Sequence, residues 1–222
     1  MIKKSSILIT LFLLLCSFSF SDYFSKKTYS YQNKKNNKIT KTNITFSTKD
    51  DLILILKTSS KEETSIKYQK DYELLSYINK IENENTLFNL IRKNNNLICQ
   101  GRIRNNKLYS SYRLGRNNWV QDFNFGFTSF LQSKKNIYKF IMINPNDFTK
   151  NEMIATKQNI ETININNEKY SSQKIKVTLR GFRSHFWKAE IWFDTKTNNL
   201  LKYVSNEGPG TANIVTTLIN FK

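Results

Sequence analysis

The residue types that perform nucleophilic or acid–base chemistry are scarce in this chain of 222 residues. It has one histidine, His185, which follows Ser184, and a cysteine, Cys99, that lies among apolar neighbours in the sequence LICQ. A Ser–His–Asp triad is assembled in space, so a hydrolase that uses Ser184 or His185 stays open. However, the sequence contains no G-x-S-x-G elbow, no P-loop and no G-x-G-x-x-G turn. We therefore predict a non-catalytic protein without a cofactor, in which Cys99 is a small buried hydrophobe.

The sequence gives no clear indication of a general acid–base pair or of a metal site. Asp50-Asp51 and Glu62-Glu63 are adjacent in sequence, and adjacent side chains of an extended chain point to opposite faces. They are typical of solvated turns rather than of a general acid–base pair. A single histidine cannot build a multi-histidine metal site, and we predict no bound metal.

The charge distribution points to an anionic partner. The chain carries 35 Lys and Arg against 17 Asp and Glu, a net charge of +18, and no acid occurs between Glu84 and Asp122. Arginine forms forked contacts with phosphate and carboxylate, although a solvated basic surface is the alternative. Nucleic acid is not expected, because no binding motif is present. The arginines of this window are Arg92, Arg102, Arg104, Arg113 and Arg116.

The first residues have the layout of a secretory signal peptide. Lys3 and Lys4 precede an uncharged apolar run over residues 7–20, and Ser19 and Ser21 place small residues before a cleavage site. A retained membrane anchor and a lipoprotein modified at Cys16 are the alternatives. We predict cleavage of residues 1–21 and export, most simply to the periplasm, with attachment to the outer membrane or secretion as alternatives. Residues 22–222 would form a single antiparallel β domain.

Alternation of apolar and polar residues dominates the rest of the chain. Ile175, Val177 and Leu179 alternate with basic and polar residues, which is typical of half-buried antiparallel strands. Asn-Asn pairs at 36–37, 105–106 and 166–167 separate such segments and favour tight hairpin turns. The apolar run over residues 52–56 predicts a strand covered on both faces. The whole pattern predicts a mainly β fold, a strongly twisted antiparallel meander or half-barrel with one or two short covering helices.

Two segments break the alternation. Residues 72–92 fit either a helix or strands, and we favour strands. In residues 118–132, aromatic side chains recur at spacings of four, four and three, which predicts a short helix that covers the curved sheet, although Gly126 weakens it. These aromatics are Trp119, Phe123, Phe127 and Phe130.

Trp192 is an unexpected residue on a charged strand face. It alternates with the inward set Trp187, Ala189, Ile191 and Phe193 and shares its own face with charged residues. Two interpretations remain open: Trp192 faces a ligand inside a half-open barrel, or it lies beneath a lysine as a cation–π pair.

The C-terminal half resembles a family of uncharacterised exported bacterial β domains. The resemblance rests on GFRSHFWKAEIWFD (181–194), LLKY (200–203) and EGPGT (207–211), with weaker support from residues 119–125 and 139–145. It covers residues 118–222, and the chain departs from it in the single proline of GPGT. That family more distantly resembles the half-barrels of periplasmic lipoprotein carriers. The resemblance implies a concave sheet, capped by helices, that holds acyl chains; such a likeness of fold does not by itself define function.

The leading functional hypothesis is an exported, non-catalytic envelope protein that binds an amphipathic, anionic ligand, such as a lipid or a lipoprotein acyl group. The alternative is a structural module that docks an anionic polymer or a protein partner through its basic surface. Both are compatible with peripheral association with a membrane. The residues expected to line the apolar site are Trp119, Phe123, Phe127, Trp187 and Trp192. Those expected to meet head-group charge are Arg102, Arg104, Arg113, Arg180 and Arg183.

Overall fold

The computed structural model describes residues 26–103, 105–206 and 211–221. The predicted signal peptide, Arg104 and most of the EGPGT corner lie outside these residues. The described chain is mainly β, as predicted, and its single α-helix is short. The first strands are β1 (Lys27–Lys35), β2 (Lys38–Lys49), β3 (Leu52–Thr58), β4 (Glu62–Gln69), β5 (Leu74–Ile81), β6 (Thr86–Lys93), β7 (Asn96–Ile103) and β8 (Asn106–Arg113). The remaining strands are β9 (Asn118–Trp119), β10 (Ile137–Ile143), β11 (Lys150–Ile165), β12 (Glu168–Leu179), β13 (Lys188–Asp194), β14 (Leu200–Ser205) and β15 (Ile214–Phe221). The α-helix, α1, spans Thr128–Gln132, and 3-10 helices span Glu82–Glu84 and Gly181–His185.

All strands belong to one sheet of 15 strands, ordered β8-β7-β6-β5-β4-β3-β2-β1-β15-β14-β13-β12-β11-β10-β9. Neighbours are antiparallel except for the short parallel pair β9–β10. The two edge strands, β8 and β9, are consecutive in sequence. A flat sheet of this size would separate its edges by roughly 67 Å, whereas the link between residues 113 and 118 reaches at most about 18 Å. The sheet must therefore curve until its edges approach, and the predicted antiparallel half-barrel is confirmed.

Asparagine supplies the tight turns, as predicted. Asn36, Asn105 and both residues of the 166–167 turn have positive φ, between 51° and 74°, a conformation that asparagine tolerates better than most residues. Because the strands alternate in direction, the turns fall into two groups. We call the end with the Asn36 turn and the 3-10 helix Gly181–His185 the upper end, and the end with the 166–167 turn the lower end.

Alternation places one side of each strand inside the half-barrel. On β12, Ile175 and Val177 are fully buried, as predicted. Residues 72–92 form β5 and β6, in agreement with the favoured interpretation. The prediction that residues 52–56 are covered on both faces is wrong. Only Ile55 of this run is buried, while Leu56 is 40% exposed, because the outer face of β3 has no second layer above it.

The gap between the two edges is closed by the loop between β10 and β11. Phe148 in this loop is fully buried, its ring lies 5.1 Å from that of Phe88 on β6, and its carbonyl accepts a hydrogen bond of 2.7 Å from the Tyr112 hydroxyl on β8. On the other edge, the Gln121 side chain donates to the Ile143 carbonyl and accepts from the Ile143 N–H. Gln121 thus satisfies the edge of β10 where no strand continues.

Gly101 on β7 permits this closure, and we predict that Gly101→Ala destabilises the fold. A Cβ at this position would lie 1.9 Å from the Leu87 carbonyl oxygen and 3.1 Å from the Phe148 ring. Because backbone must move to relieve the overlap, we expect a loss of about 2–3 kcal/mol in the free energy of unfolding. The matched control is Gly115→Asn, at a position with φ +58 and open space around it, where asparagine should change stability by less than about 0.5 kcal/mol. Equal effects of the two substitutions in urea denaturation would contradict this account of the seam.

Candidate ligand-binding cavities

The segment over residues 120–132 passes through the inside of the half-barrel, and we call it the plug. The helix predicted over residues 118–132 is largely absent, because only Thr128–Gln132 is α-helical. The Asp122 carboxylate accepts hydrogen bonds from the N–H groups of Asn124 and Phe125, which competes with helix formation. Residue 126 must be glycine in this turn, because a Cβ there would lie 2.3 Å from the Asp122 carbonyl oxygen and overlap it. One short covering helix is present, but the aromatic spacing is met mainly by turns.

The aromatic side chains of the plug interlock with those of the surrounding strands. Phe127 stacks on Phe123 with ring centroids 5.4 Å apart and meets Phe140 at 5.5 Å. Trp187 lies 6.4 Å from Phe123, and Trp119 is buried. The rings predicted to surround a ligand therefore fill the space between them with their own side chains. Open space lies beside this cluster, and Phe123 of the predicted rings lines part of it.

The lower cavity is an opening of about 310 Å³ between the plug and the first strands. One side is aromatic: Phe46 and Phe125 approach at 5.7 Å between centroids, and Tyr29 lies against Phe46. The other side is polar, and Lys27 is exposed at its mouth. The cavity thus offers an apolar wall and a basic, hydrogen-bonding rim. The polar residues of its lining are Ser47, Thr48, Asn124, Thr128, Gln132, Thr197, Asn198 and Asn199.

The upper cavity, of about 260 Å³, lies on the far side of Tyr31 and is more polar. Lys57 forms an ion pair there with Asp122, whose side chain is completely buried. On the wall, Thr216 donates to the Asn33 amide oxygen at 2.8 Å, and the Asn33 amide donates to Thr42 at 2.9 Å. The wall groups are therefore already hydrogen-bonded to one another.

The tyrosines around this ion pair remain protonated. Burial raises the pKa of Tyr31, Tyr68 and Tyr77 above the ordinary range, and the Asp122 charge adds to the effect. The Tyr31 hydroxyl donates to the Leu200 carbonyl at 3.1 Å. Both residues line the lower and the upper cavities, so this hydrogen-bonded pair separates the two. The Tyr31 phenol is thus a neutral hydrogen-bond donor, whereas the Tyr68 hydroxyl is buried without a hydrogen-bond partner among the described residues. The raised pKa values give none of the three phenols a proton-transfer role at ordinary pH.

Trp192 lies on the outer face of β13 beneath two lysines. The Nζ of Lys174 lies 4.8 Å from its ring centroid and that of Lys202 lies 5.2 Å away. Its indole N–H donates to Glu161. The cation–π interpretation is confirmed, and Trp192 does not face the inside of the half-barrel.

The predicted arginines do not converge on one site. Arg102 and Arg113 are exposed near opposite ends of the β7–β8 hairpin. Arg180 and Arg183 lie at the upper end, where Arg180 forms an ion pair of 2.8 Å with Glu152. None of these four lines the lower or the upper cavity. Arg104 lies outside the described residues.

Neither His185 nor Cys99 lines the lower or the upper cavity. His185 is exposed in the 3-10 helix at the upper end. Cys99 is buried, as predicted, and burial raises the pKa of its thiol to about 11, which disfavours the reactive thiolate. No group of three metal-ligating side chains occurs within the part of the chain that the structure describes. Among these same residues, no helix has the length and apolar character needed to cross a membrane.

The lower cavity depends on residues that the sequence reasoning missed. Tyr29 and Tyr31 alternate on β1, and Phe46 follows the same period on β2. This alternation was visible but indicated only a half-buried strand. Phe125 lies between Phe123 and Phe127 in the sequence, and a helical interpretation places it on the wrong side of the plug.

Comparison with known proteins identifies a fold. No family model matches the sequence, and no curated protein is significantly similar to it. A β-barrel-like protein of the domain of unknown function DUF1849 from Brucella abortus superposes with a TM-score of 0.59 over 89% of this chain and 97% of that chain, at 4% identity. The hypothetical lipoprotein YmcC from Escherichia coli gives a TM-score of 0.43 over 98% and 97% of the two chains, at 13% identity. A putative outer membrane lipoprotein-sorting protein domain from Vibrio parahaemolyticus gives 0.26 over 89% and 84%, at 7% identity.

The superposition on the DUF1849 protein shows a shared architecture, and at 4% identity it shows the fold alone. The other two superpose too loosely to carry an argument. The predicted resemblance to an uncharacterised bacterial β domain is thus confirmed at the level of fold.

Proposed function

We propose that the protein is an exported, non-catalytic envelope protein that holds one amphipathic, anionic molecule in the lower cavity. The observation that carries the proposal is the two-sided lining of this cavity, with Tyr29, Phe46 and Phe125 on one side and amides and hydroxyls on the other. Its volume of about 310 Å³ is at the lower end of the roughly 300–1,000 Å³ typical of ligand sites. A single acyl chain against the rings, with its acidic head near Lys27, matches both the shape and the charge.

The location follows from the N-terminal sequence, whose basic start, apolar run and small residues favour export through residues 1–21. A bound lipid or lipoprotein acyl group fits an envelope compartment, where such molecules are abundant. The apolar wall, rather than any arginine, supplies most of the binding free energy, because burial of acyl groups contributes about 0.8 kcal/mol per CH₂.

Binding of a fatty acid tests this proposal. We expect dansyl-labelled undecanoic acid to bind saturably at one site, with a rise in fluorescence, and to be displaced by laurate. Thr48→Trp should abolish binding, because Thr48 is exposed on the cavity rim and a large ring there blocks entry. The matched control is Thr162→Trp, at an exposed strand threonine away from the cavity, which should bind like the wild type. Absence of saturable binding, or equal binding by both variants, would reject the lower cavity as the site.

A pair of charge-reversal variants tests whether Lys27 at the mouth of the lower cavity contacts the acidic head of the ligand. Lys27→Glu should weaken laurate binding by about three- to tenfold, which corresponds to the roughly 1 kcal/mol of an exposed ion contact. Lys26→Glu changes net charge equally but lies outside the lining, and it should have little effect. Equal weakening by both substitutions would show that only the overall charge matters.

The second candidate, a module that docks an anionic polymer, rests on the β7–β8 hairpin. Arg102 and Lys107 are directly opposed and exposed. Such a surface would bind a polyanion with strong salt dependence, unlike an acyl chain in a cavity. Heparin binding that is lost in Arg102→Glu/Lys107→Glu, together with no uptake of fatty acid, would favour this candidate.

A further inference from the structure

The upper end carries an apolar projection that the cavities do not use. We call residues 180–187 the rim loop. Phe182 in this loop is 81% exposed, the highest value among the large apolar side chains that the structure describes, and Phe186 is 51% exposed. Two exposed phenylalanines in one short loop give it an apolar surface, and exposed apolar patches of sufficient size mark interaction sites.

The rim loop is an ordered turn. It forms a 3-10 helix over Gly181–His185, with Gly181 at φ +72. The Arg180 N–H donates to the Glu152 carbonyl at 2.9 Å, and the Arg183 guanidinium donates to the Asn151 side chain at 3.2 Å. The start of β11 therefore holds the turn in place, and its two phenylalanines project from a fixed base.

Two exposed basic residues flank the exposed phenylalanines in the sequence. No Asp or Glu occurs between Glu168 and Glu190, and Arg183 and Lys188 are exposed beside the phenylalanines. Arg180 contributes less, because Glu152 neutralises it. At the base of the loop, Trp187 is half-buried against Phe123 and joins the loop to the core.

We propose that the rim loop docks the protein on an anionic lipid bilayer. In this arrangement Phe182 and Phe186 enter the boundary between head groups and acyl chains, while Arg183 and Lys188 contact lipid phosphates. Exposed phenylalanines beside two exposed cations match a lipid surface, which offers acyl chains and negatively charged phosphates together. Docking by this loop turns the upper end of the half-barrel to the membrane. The inference does not depend on the ligand of the lower cavity.

Vesicle binding tests the docking. We expect the protein to co-sediment with vesicles of equal parts phosphatidylglycerol and phosphatidylcholine, and much less with phosphatidylcholine alone. Phe182→Ala/Phe186→Ala should lower the partition coefficient about tenfold or more, and Arg183→Glu/Lys188→Glu at least as much, given about fivefold for each basic residue near an anionic surface. The matched control is Tyr109→Ala/Ile160→Ala, which removes two side chains that are 68% and 62% exposed elsewhere on the sheet. It should bind like the wild type.

A local probe separates docking by this loop from binding by any other segment. In a Cys16→Ser background, a polarity-sensitive dye is attached to Ser184→Cys in the rim loop or to Asn167→Cys at the lower end; Cys99 is buried and stays unlabelled. Anionic vesicles should shift the emission at 184 to the blue and leave 167 unchanged. Equal responses at both positions, no response at 184, or undiminished binding of the phenylalanine double variant would each overturn the proposal. Because these measurements contain no fatty acid, they fail or succeed independently of the cavity.

Discussion

Phe127→Ala is expected to lower the free energy of unfolding by about 3–5 kcal/mol, the range for removing a buried aromatic ring. Phe127 is fully buried at the centre of the plug, and its loss leaves a hole that the surrounding strands cannot close. Urea denaturation measures the effect. The rings that lose a neighbour are those of Phe123, Phe130, Tyr138, Phe140 and Phe193.

The control for this variant is Tyr109→Ala, which removes an aromatic ring that is 68% exposed on β8. It should change stability by less than about 0.5 kcal/mol. If Phe127→Ala were no more destabilising than Tyr109→Ala, the plug would be a loosely held cover, and the argument that its rings fill the inside of the half-barrel would fail.

Asp122→Ala is expected to destabilise the protein by about 2–3 kcal/mol, because it leaves the half-buried Lys57 ammonium group and two N–H groups of the plug without their partner. Asp122 pairs with Lys57 across the inside of the half-barrel and also accepts the N–H groups of Asn124 and Phe125. The double variant Lys57→Met/Asp122→Ala should recover part of the loss, since no unpaired charge then remains.

Asp147→Ala is the matched control for the loss of the local hydrogen bonds in Asp122→Ala. Asp147 is exposed and accepts the N–H group of Thr149 two residues on, at 2.9 Å, so it has the same local hydrogen bond without the buried ion pair. We expect a loss of about 1 kcal/mol or less. Chemical denaturation of the four proteins in parallel measures the difference. Two results would show that the ion pair does not anchor the plug. One is a loss of stability in Asp122→Ala no larger than that in Asp147→Ala, and the other is a double variant no more stable than Asp122→Ala.

The fold was predictable because its signals are local. The period-two pattern of residues such as Ile175 and Val177 depends only on which side of a strand faces the core, and asparagine turns such as 166–167 depend on local backbone preference. The closure of the sheet was harder to predict. The pairing of β1 with β15 joins residues at the two ends of the chain, and no local pattern encodes it.

The candidate site was less predictable for a related reason. The spacing of Trp119, Phe123 and Phe127 fits a helix, but it also fits a series of turns held by the Asp122 carboxylate, and sequence spacing cannot separate the two. Interpreting aromatic residues as a ligand site assumed a void among them. Rings that can reach one another pack together, because contact between apolar surfaces is favourable wherever space allows. The void remains where Phe46 and Phe125 border amides and hydroxyls that cannot fill it.

Arginine frequency was a poor guide to position. The run without acids between residues 85 and 121 spans several strands, so side chains that are close in sequence, such as Arg102 and Arg113, lie about one strand length apart. The cation that does line the lower cavity, Lys27, sits at the start of β1 and outside that run. Residues 181–187 belong to the motif on which the family resemblance rests. The structure adds that two phenylalanines of this segment are exposed, and these carry the docking inference.

Native mass spectrometry of the protein isolated from an envelope fraction tests the central claim, the holding of one amphipathic molecule by the lower cavity, most directly. We predict a second species heavier by the mass of a single acidic lipid, present in the wild type and in Thr162→Trp and missing in Thr48→Trp. A bare polypeptide in all three samples that also takes up no added laurate, or an adduct that persists in Thr48→Trp, would contradict the claim.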